Sequence, residues 1–305
     1  MIKNKSKKKI RFQDEFESKV SDTIKRFRLF TKKDRILVAC SGGKDSTAVL
    51  YILNKLGYNV QALTIDALIG NYTKQNLENL KKFCRQNKIK LHIISFRDEF
   101  GNSLCYIRQT LASKGIRLRS CTICGILKRY LINKAAKRLK ADYVATGHNL
   151  DDEAQSVMMN LLRNNLEVGA RIGPKTGVMK KESRKSFVQR VKPLYLCSEK
   201  DVKKYSMRMD FPVNYSPCPC RHDAYRNKVR KILDRLEKAG ESEKRQGGGS
   251  QNIKFNIISS FIDIAPMLKD KYSGGIQRYC RICKEPSKGE ECNTCKLLMV
   301  LRSKK

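Results

Sequence analysis

Six consecutive residues, Ser41, Gly42, Gly43, Lys44, Asp45 and Ser46, bring together two glycines, two hydroxyls, a cation and a carboxylate. They follow an apolar run at 36–40 that reads as a buried strand, and precede a stretch at 47–53 that reads as a helix closed by Gly57. A strand-to-helix turn of this kind lets the backbone approach a ligand closely. It also aims unpaired N–H groups and the positive end of a helix dipole at that ligand. The ligand expected there is an anion, above all phosphate. The spacing is not the Walker pattern, because only two glycines precede the lysine and no longer loop wraps the phosphates.

A second group is acidic. Gly147-His148-Asn149-Leu150-Asp151-Asp152-Glu153 follows the apolar run 143–146 and opens a helix carrying Val157, Met158, Leu161 and Leu162. Three carboxylates at a helix start serve as capping and dipole charges. At the carboxyl edge of a parallel sheet, beside bound phosphates, they are also placed to hold magnesium.

The third group is sulfur. Of twelve cysteines, eight fall in pairs, Cys121/Cys124, Cys218/Cys220, Cys280/Cys283 and Cys292/Cys295, a usage that favours metal binding or catalysis over disulfides. Cys40, Cys84, Cys105 and Cys197 stand alone and read as small buried hydrophobes. Cys121 and Cys124 open a helix whose dipole favours thiolate. The last two pairs are C-x-x-C knuckles eight residues apart, which suit tetrahedral Zn2+ in a segment with little other core.

A chain of 305 residues with 40% hydrophobic content supports one sizeable core and a smaller module. A formal net charge of +36 makes a polyanion, nucleic acid, the leading partner. No apolar run approaches the ~20 residues of a membrane span, and the lysine-rich start has no apolar region of signal-peptide type. A soluble, cytoplasmic protein with no membrane partner is expected.

Strands are expected at 36–40, 60–65, 91–96, 143–146 and 189–194, alternating with helices. That pattern predicts an α/β fold with a doubly wound, five-stranded parallel sheet and a C-terminal four-cysteine zinc finger. In such a sheet the strand end at Thr64, Ile65 and Asp66 faces the nucleoside of a nucleotide held by the first loop. The expected divisions are a basic tail and amphipathic helix at 1–34, a catalytic domain at 35–238, and a flexible linker at 239–252. A helix at 253–275 returns to the core, with Phe255, Ile258, Ile262 and Ala265 on its stripe, and the finger occupies 276–305. The aromatic stripe of the first helix, from Phe12 to Phe30, reads as core packing, and 175–185 reads as an exposed loop.

The loop S-G-G-K-D-S resembles the PP-loop of the ATP pyrophosphatases. With Cys121/Cys124, the 147–153 motif, a cysteine before Ala224-Tyr225-Arg226 and the terminal finger, the chain resembles the tRNA 2-thiouridine synthetases of the TtuA and cytosolic thiouridylase group. The resemblance implies adenylation of a tRNA uridine 2-carbonyl by ATP with Mg2+, then displacement of AMP by sulfur, giving 2-thiouridine. It implies a 4Fe-4S cluster on Cys121, Cys124 and the cysteine six residues before the alanine, Cys218, with Cys220 as competitor. It points to Asp45, Lys128 and Asp152 as catalytic. Nucleotide contacts are expected at Ala39, Cys40, Ser41, Gly42, Gly43, Lys44, Asp45, Ser46, Thr64, Ile65, Asp66, Gly147, His148 and Asp152. Implied partners are tRNA, a sulfur donor (a ubiquitin-like thiocarboxylate carrier or inorganic sulfide), and a second subunit in a homodimer or a heterodimer.

The sequence departs from the family in two places. No cysteine precedes Cys40, where the family usually has an N-terminal zinc finger, and residues 66–70 replace its usual acidic, glycine-containing turn. The alternatives are a tRNA 2-thiocytidine synthetase, against which the terminal finger argues, and a non-enzymatic zinc-finger RNA-binding protein, which leaves Asp45 and Asp152 without a purpose.

Overall fold

The computed structural model describes residues 2–176, 187–221, 225–245, 252–272, 278–287 and 289–303. Its sheet contains β1 (Arg35–Ala39), β2 (Asn59–Asp66), β3 (Leu91–Ser95), β4 (Tyr143–Thr146), β5 (Lys175–Thr176) and β6 (Gln189–Val191), in the order β3-β2-β1-β4-β6-β5. The first four strands and β6 pair in parallel, as the alternation of strands and helices predicts. The sheet has six strands rather than five, because β5 adds an antiparallel edge of two residues. It falls in the stretch read as an exposed loop, where two residues among charges give no alternation to detect. The rest of that stretch, 177–186, lies outside the described residues.

Period-two alternation sends successive side chains to opposite faces. Ile36, Val38, Ala62 and Ala145 enter one apolar layer, and Leu37, Leu63 and Val144 enter the other. The first layer is covered by α1 (Ile2–Arg26), α2 (Lys44–Lys55) and α3 (Gly70–Gln86). The stripe of α1 packs as expected, with Phe16, Val20 and Ile24 buried. The basic tail is not separate from that helix, since α1 begins at Ile2. Lysine is a good helix former, and the run extends the amphipathic helix by its own propensity.

The opposite layer is covered by α4 (Phe96–Phe100), α5 (Leu104–Ser113) and α6 (Ser120–Arg138). After β4 come α7 (Leu150–Leu161), α8 (Leu166–Gly169), α9 (Glu199–Arg208), α10 (Tyr225–Arg245) and α11 (Ile253–Tyr272). The expected linker is helical through Arg245, because good helix formers carry α10 past its apolar stripe; 246–251 lie outside the described residues. On α11 the buried residues are Ile258, Phe261 and Ala265. Phe255 is exposed, so the stripe is turned relative to the expected one.

The chain ends in a hairpin of β7 (Arg278–Tyr279) and β8 (Pro286–Ser287) and then α12 (Asn293–Arg302). This module is docked on the main body. Leu297 enters the layer under α6, Glu285 meets Asn133 at 2.5 Å and Lys137 at 3.3 Å, and Lys114 Nζ donates to the carbonyls of Val300, Leu301 and Ser303 at the end of α12.

Candidate active site

The strand order reverses beside β1, whose neighbours β2 and β4 lead away in opposite directions, so a crevice opens at the carboxyl ends of β1 and β4. The glycine-rich turn lies there. Ser46 Oγ accepts from Ser41 N–H at 3.2 Å and donates to the Gly43 carbonyl at 3.2 Å, folding the loop on itself. Gly43 occupies the N-cap of α2 without a side-chain cap, leaving the first N–H groups of the helix available to an anion. Gly42 has φ +79°, and a Cβ on it would lie 2.8 Å from the Asn76 carbonyl oxygen. Gly147 is as constrained, since its Cβ would stand 2.6 Å from Ser46 N. The turn after β4 therefore rests directly on the phosphate loop.

Asn149 joins the two acidic positions. Its Nδ2 donates to Asp45 Oδ1 at 2.9 Å, and it forms a capping box with Asp152, whose backbone N–H donates to Asn149 Oδ1 at 3.1 Å. Burial raises the Asp152 carboxyl above its ordinary range, Arg226 opposes this from 3.6 Å, and the nearby Asp45 charge adds to it. Lys44 Nζ pairs with Asp45 at 2.8 Å and Glu199 at 3.2 Å, and Arg230 pairs with Glu199 at 2.7 Å. Asp151 accepts from Glu199 N–H and from Lys254, which brings α11 to the same site.

Other expected nucleotide positions sit around this crevice with more local roles. The Cys40 N–H is used by the sheet, donating to Leu63 O at 2.7 Å. Ala39 ends β1, and Thr64 and Ile65 are buried near the end of β2. Asp66 Oδ1 accepts from Leu68 N–H at 2.8 Å, closing the turn in which Leu68 adopts φ +55°, a conformation favouring glycine. His148 Nδ1 meets Thr146 Oγ1 at 2.8 Å; the residue is exposed, yet desolvation by the surrounding protein, then Lys192, lowers its pKa to about 4.

The thiols gather at the start of α6. This helix follows β3 and returns to the amino end of β4, so Cys121 and Cys124 lie at the same sheet edge as the phosphate loop. Cys121 Sγ donates to the Cys220 carbonyl at 3.0 Å, and Cys124, Cys218 and Cys220 are partly buried against one apolar layer. Burial raises Cys124, while Lys128 opposes this as a cation one turn along the helix. Burial, then Cys218, Cys105 and Cys121, push Cys220 up to about 11. Cys105 is thus not a small buried hydrophobe but an exposed thiol beside this group. Cys40, Cys84 and Cys197 are buried as expected, and burial raises all three thiols. A second thiol group, Cys280, Cys283, Cys292 and Cys295, has its four sulfurs within 4.8 Å of one another, close enough for one metal ion.

Sequence reasoning missed Asn149, Glu199, Arg226 and Arg230. Asn149 and Arg226 lie inside motifs where they served only as landmarks. Glu199 follows Ser198, a real N-cap whose side chain accepts from Asp201 N–H, and so resembled an ordinary first-turn charge.

The PP-loop domain family matches residues 12–236. The chain belongs to this family. It is 35% identical to the tRNA-5-methyluridine(54) 2-sulfurtransferase of Pyrococcus horikoshii, over 93% of this chain and 85% of that protein. It is 30% identical to the cytoplasmic tRNA 2-thiolation protein 1 of Laccaria bicolor, over 93% and 76%. Among solved structures it is similar to the U34-tRNA thiolase NcsA of Methanococcus maripaludis with its [4Fe-4S] cluster, with a TM-score of 0.72, 28% identity, and coverage of 96% and 88%. The PP-loop domain begins within α1, ends within α10, and takes in both the loop and the first two thiol pairs. No helix among the described residues is long and apolar enough to cross a membrane.

Proposed function

We propose that this protein is an ATP-dependent tRNA-uridine 2-sulfurtransferase. The observation that carries the reading is a shared sheet edge. The uncapped start of α2 and the Asp45–Asn149–Asp152 bridge lie at one end of the sheet with the thiols of α6. A reaction that activates a carbonyl with phosphate and then replaces its oxygen with sulfur needs both sets within reach of one base.

In this reading the loop N–H groups and the α2 dipole bind the phosphates. Ser46 keeps the loop in shape, and Gly147 lets the turn after β4 approach it. Asp45 and Asp152 are the carboxylates that would hold Mg2+, which would offset phosphate charge, and Asn149 fixes their separation. Uridine O2 attacks the α-phosphate, pyrophosphate leaves, and sulfur then displaces AMP at C2.

Three thiols, with Lys128 and Arg129 beside Cys124 to offset thiolate charge, suit a 4Fe-4S group. Cys121, Cys124 and Cys218 would hold such a cluster, which would supply the iron chemistry for sulfur transfer. The finger thiols suit Zn2+, which would lock the hairpin and α12 together. The net charge of +36 supplies attraction for tRNA.

The test is nucleoside mass spectrometry of tRNA treated with anaerobically reconstituted protein, ATP and either sulfide or a protein thiocarboxylate. Thiouridine that requires ATP is the expected product, its position mapped by fragment analysis, and the productive donor identifies the sulfur source. Thiocytidine would transfer the reading to the other base. No thiolated base under any condition, with tRNA bound, would favour a non-enzymatic RNA-binding role.

A further inference from the structure

Glu199 stands between two cations beside the phosphate loop. Its Oε1 lies 3.2 Å from Lys44 Nζ and its Oε2 lies 2.7 Å from Arg230 Nη2. Lys44 belongs to the loop, and Arg230 projects from α10, which follows the segment carrying Cys218 and Cys220. The carboxylate is itself fixed, because Glu199 begins α9 and its backbone N–H donates to Asp151 at 2.7 Å. Asp151 in turn is held by Lys254 at 2.7 Å. All three side chains of the Lys44–Glu199–Arg230 bridge are about a third exposed or less, at 15%, 30% and 31%, which sets the bridge apart from a solvated surface pair.

One ammonium and one guanidinium converging on two oxygens form a donor set that a phosphate satisfies as well as a carboxylate does. Arginine presents its planar fork, and lysine a movable point charge. The site already supplies N–H groups at the start of α2 for one part of a polyphosphate. Charges of a second element, α10, extend the positive surface beyond that helix end. Glu199 competes for these charges: with Asp45, which lies 2.8 Å from Lys44, it neutralises cations that the loop would otherwise offer to an anion, and of these two carboxylates it alone also holds Arg230 and so repels a phosphate that comes between the two cations.

We propose that Lys44 and Arg230 form a clamp for the pyrophosphate half of ATP, and that Glu199 is the built-in carboxylate that orients both cations and competes with phosphate for them. This rests on the reading of the loop as an ATP site. Phosphates arriving at the loop exchange one anion for another on preoriented donors. Once pyrophosphate has been displaced from ATP as the adenylate forms, Glu199 recaptures the two cations and aids its departure. Glu199 is thus a positioning residue that tunes product release, and Arg230 a contact to the leaving group.

The experiment is calorimetric titration of the full-length protein with inorganic pyrophosphate and, separately, with AMP, using ATP as control. Arg230→Ala is expected to weaken pyrophosphate and ATP binding about tenfold or more while AMP stays within about twofold, and Arg230→Lys to recover part of the loss. Glu199→Gln is expected to tighten pyrophosphate binding several-fold with AMP unchanged, because a neutral amide no longer competes. If the Gln variant melts below wild type, Glu199→Asp, which keeps the charge but withdraws it by one methylene, carries the same expectation at smaller amplitude. The clamp is refuted if Arg230→Ala binds pyrophosphate like wild type, or if Glu199→Gln weakens it as Arg230→Ala does. If wild type binds neither ATP nor pyrophosphate, the nucleotide reading itself fails; if wild type binds ATP and the variants bind pyrophosphate as wild type does, the clamp alone fails.

Discussion

Three glycines at the phosphate loop make a graded test of how tightly the crevice is built. In Gly42→Ala the new methyl lies 2.8 Å from both Cβ and the carbonyl oxygen of Asn76, at a φ of +79°. The left-handed backbone costs an L-residue roughly 1–2 kcal/mol, and overpacking against a backbone atom costs roughly 1–3 kcal/mol more. In Gly147→Ala the backbone conformation is ordinary, but the methyl meets Ser46 N at 2.6 Å and Asp45 C at 2.8 Å, so overpacking alone applies, at roughly 1–3 kcal/mol. In Gly43→Ala the nearest atom is Ser41 Oγ at 3.5 Å, an ordinary contact, and only the poorer N-cap counts, at about 1 kcal/mol or less. Urea denaturation midpoints are expected to fall in the order Gly43→Ala, Gly147→Ala, Gly42→Ala, from smallest loss to largest. Calorimetry separates a second effect: at Gly43 the protein leaves room for the methyl, so a fall in ATP affinity there, with stability retained, locates the phosphate against that residue. Equal destabilisation by all three substitutions would refute the geometry. Full ATP affinity in Gly43→Val would refute the assignment of the loop.

Elemental analysis of the Cys121→Ala, Cys124→Ala protein is expected to find iron lost and zinc retained, and loss of both would mean the two thiol groups are not independent. Cys218→Ala is expected to abolish cluster absorbance and thiolation, whereas Cys220→Ala retains them, because Cys218 is the cysteine six residues before Ala224; the reverse result would exchange the two ligands. For pH, the folded-state pKa of His148 lies near 4, below the unfolded value of about 6.5. The unfolded chain therefore binds more protons in that window, and stability falls as pH drops from about 6.5 to 4. His148→Gln is expected to flatten that part of the profile of urea midpoint against pH, and an unchanged slope would remove the residue from the account.

Much of the site was legible because its chemistry is concentrated in short contiguous runs, each placed by a strand end. The loop at 41–46 and the turn at 147–153 needed only that β1 and β4 be parallel neighbours, and short apolar runs bounded by turns reveal such strands. What stayed hidden depends on residues that meet only in the folded chain. Lys44 and Glu199 are 155 positions apart in sequence. Neither has a local pattern that announces the other, and Arg230 read as one of many basic residues. Two-residue strands such as β5 carry no period at all. Cys105 was misread for a related reason: a lone cysteine says nothing about exposure until α5 is laid against α6.

The terminal thiol module bears on the helix that carries Cys121 and Cys124 through one residue in particular. Asn133, buried at 2% exposure in the middle of α6, donates to Glu285 of the hairpin and accepts from Val188 N–H just before β6. A single side chain thus ties the finger, the helix that carries Cys121 and Cys124, and the entry to the last parallel strand. A buried amide with both ends engaged is costly to leave half satisfied, so the position of α6 depends on the hairpin staying in place. The hairpin's own geometry rests on its four sulfurs and on local bonds such as Cys280 N–H to Glu285 O at 2.8 Å, none of which involves the start of α6. Displacing the hairpin would therefore be felt along α6, whereas replacing Cys121 and Cys124, more than two turns from Asn133, removes none of the hairpin's own bonds.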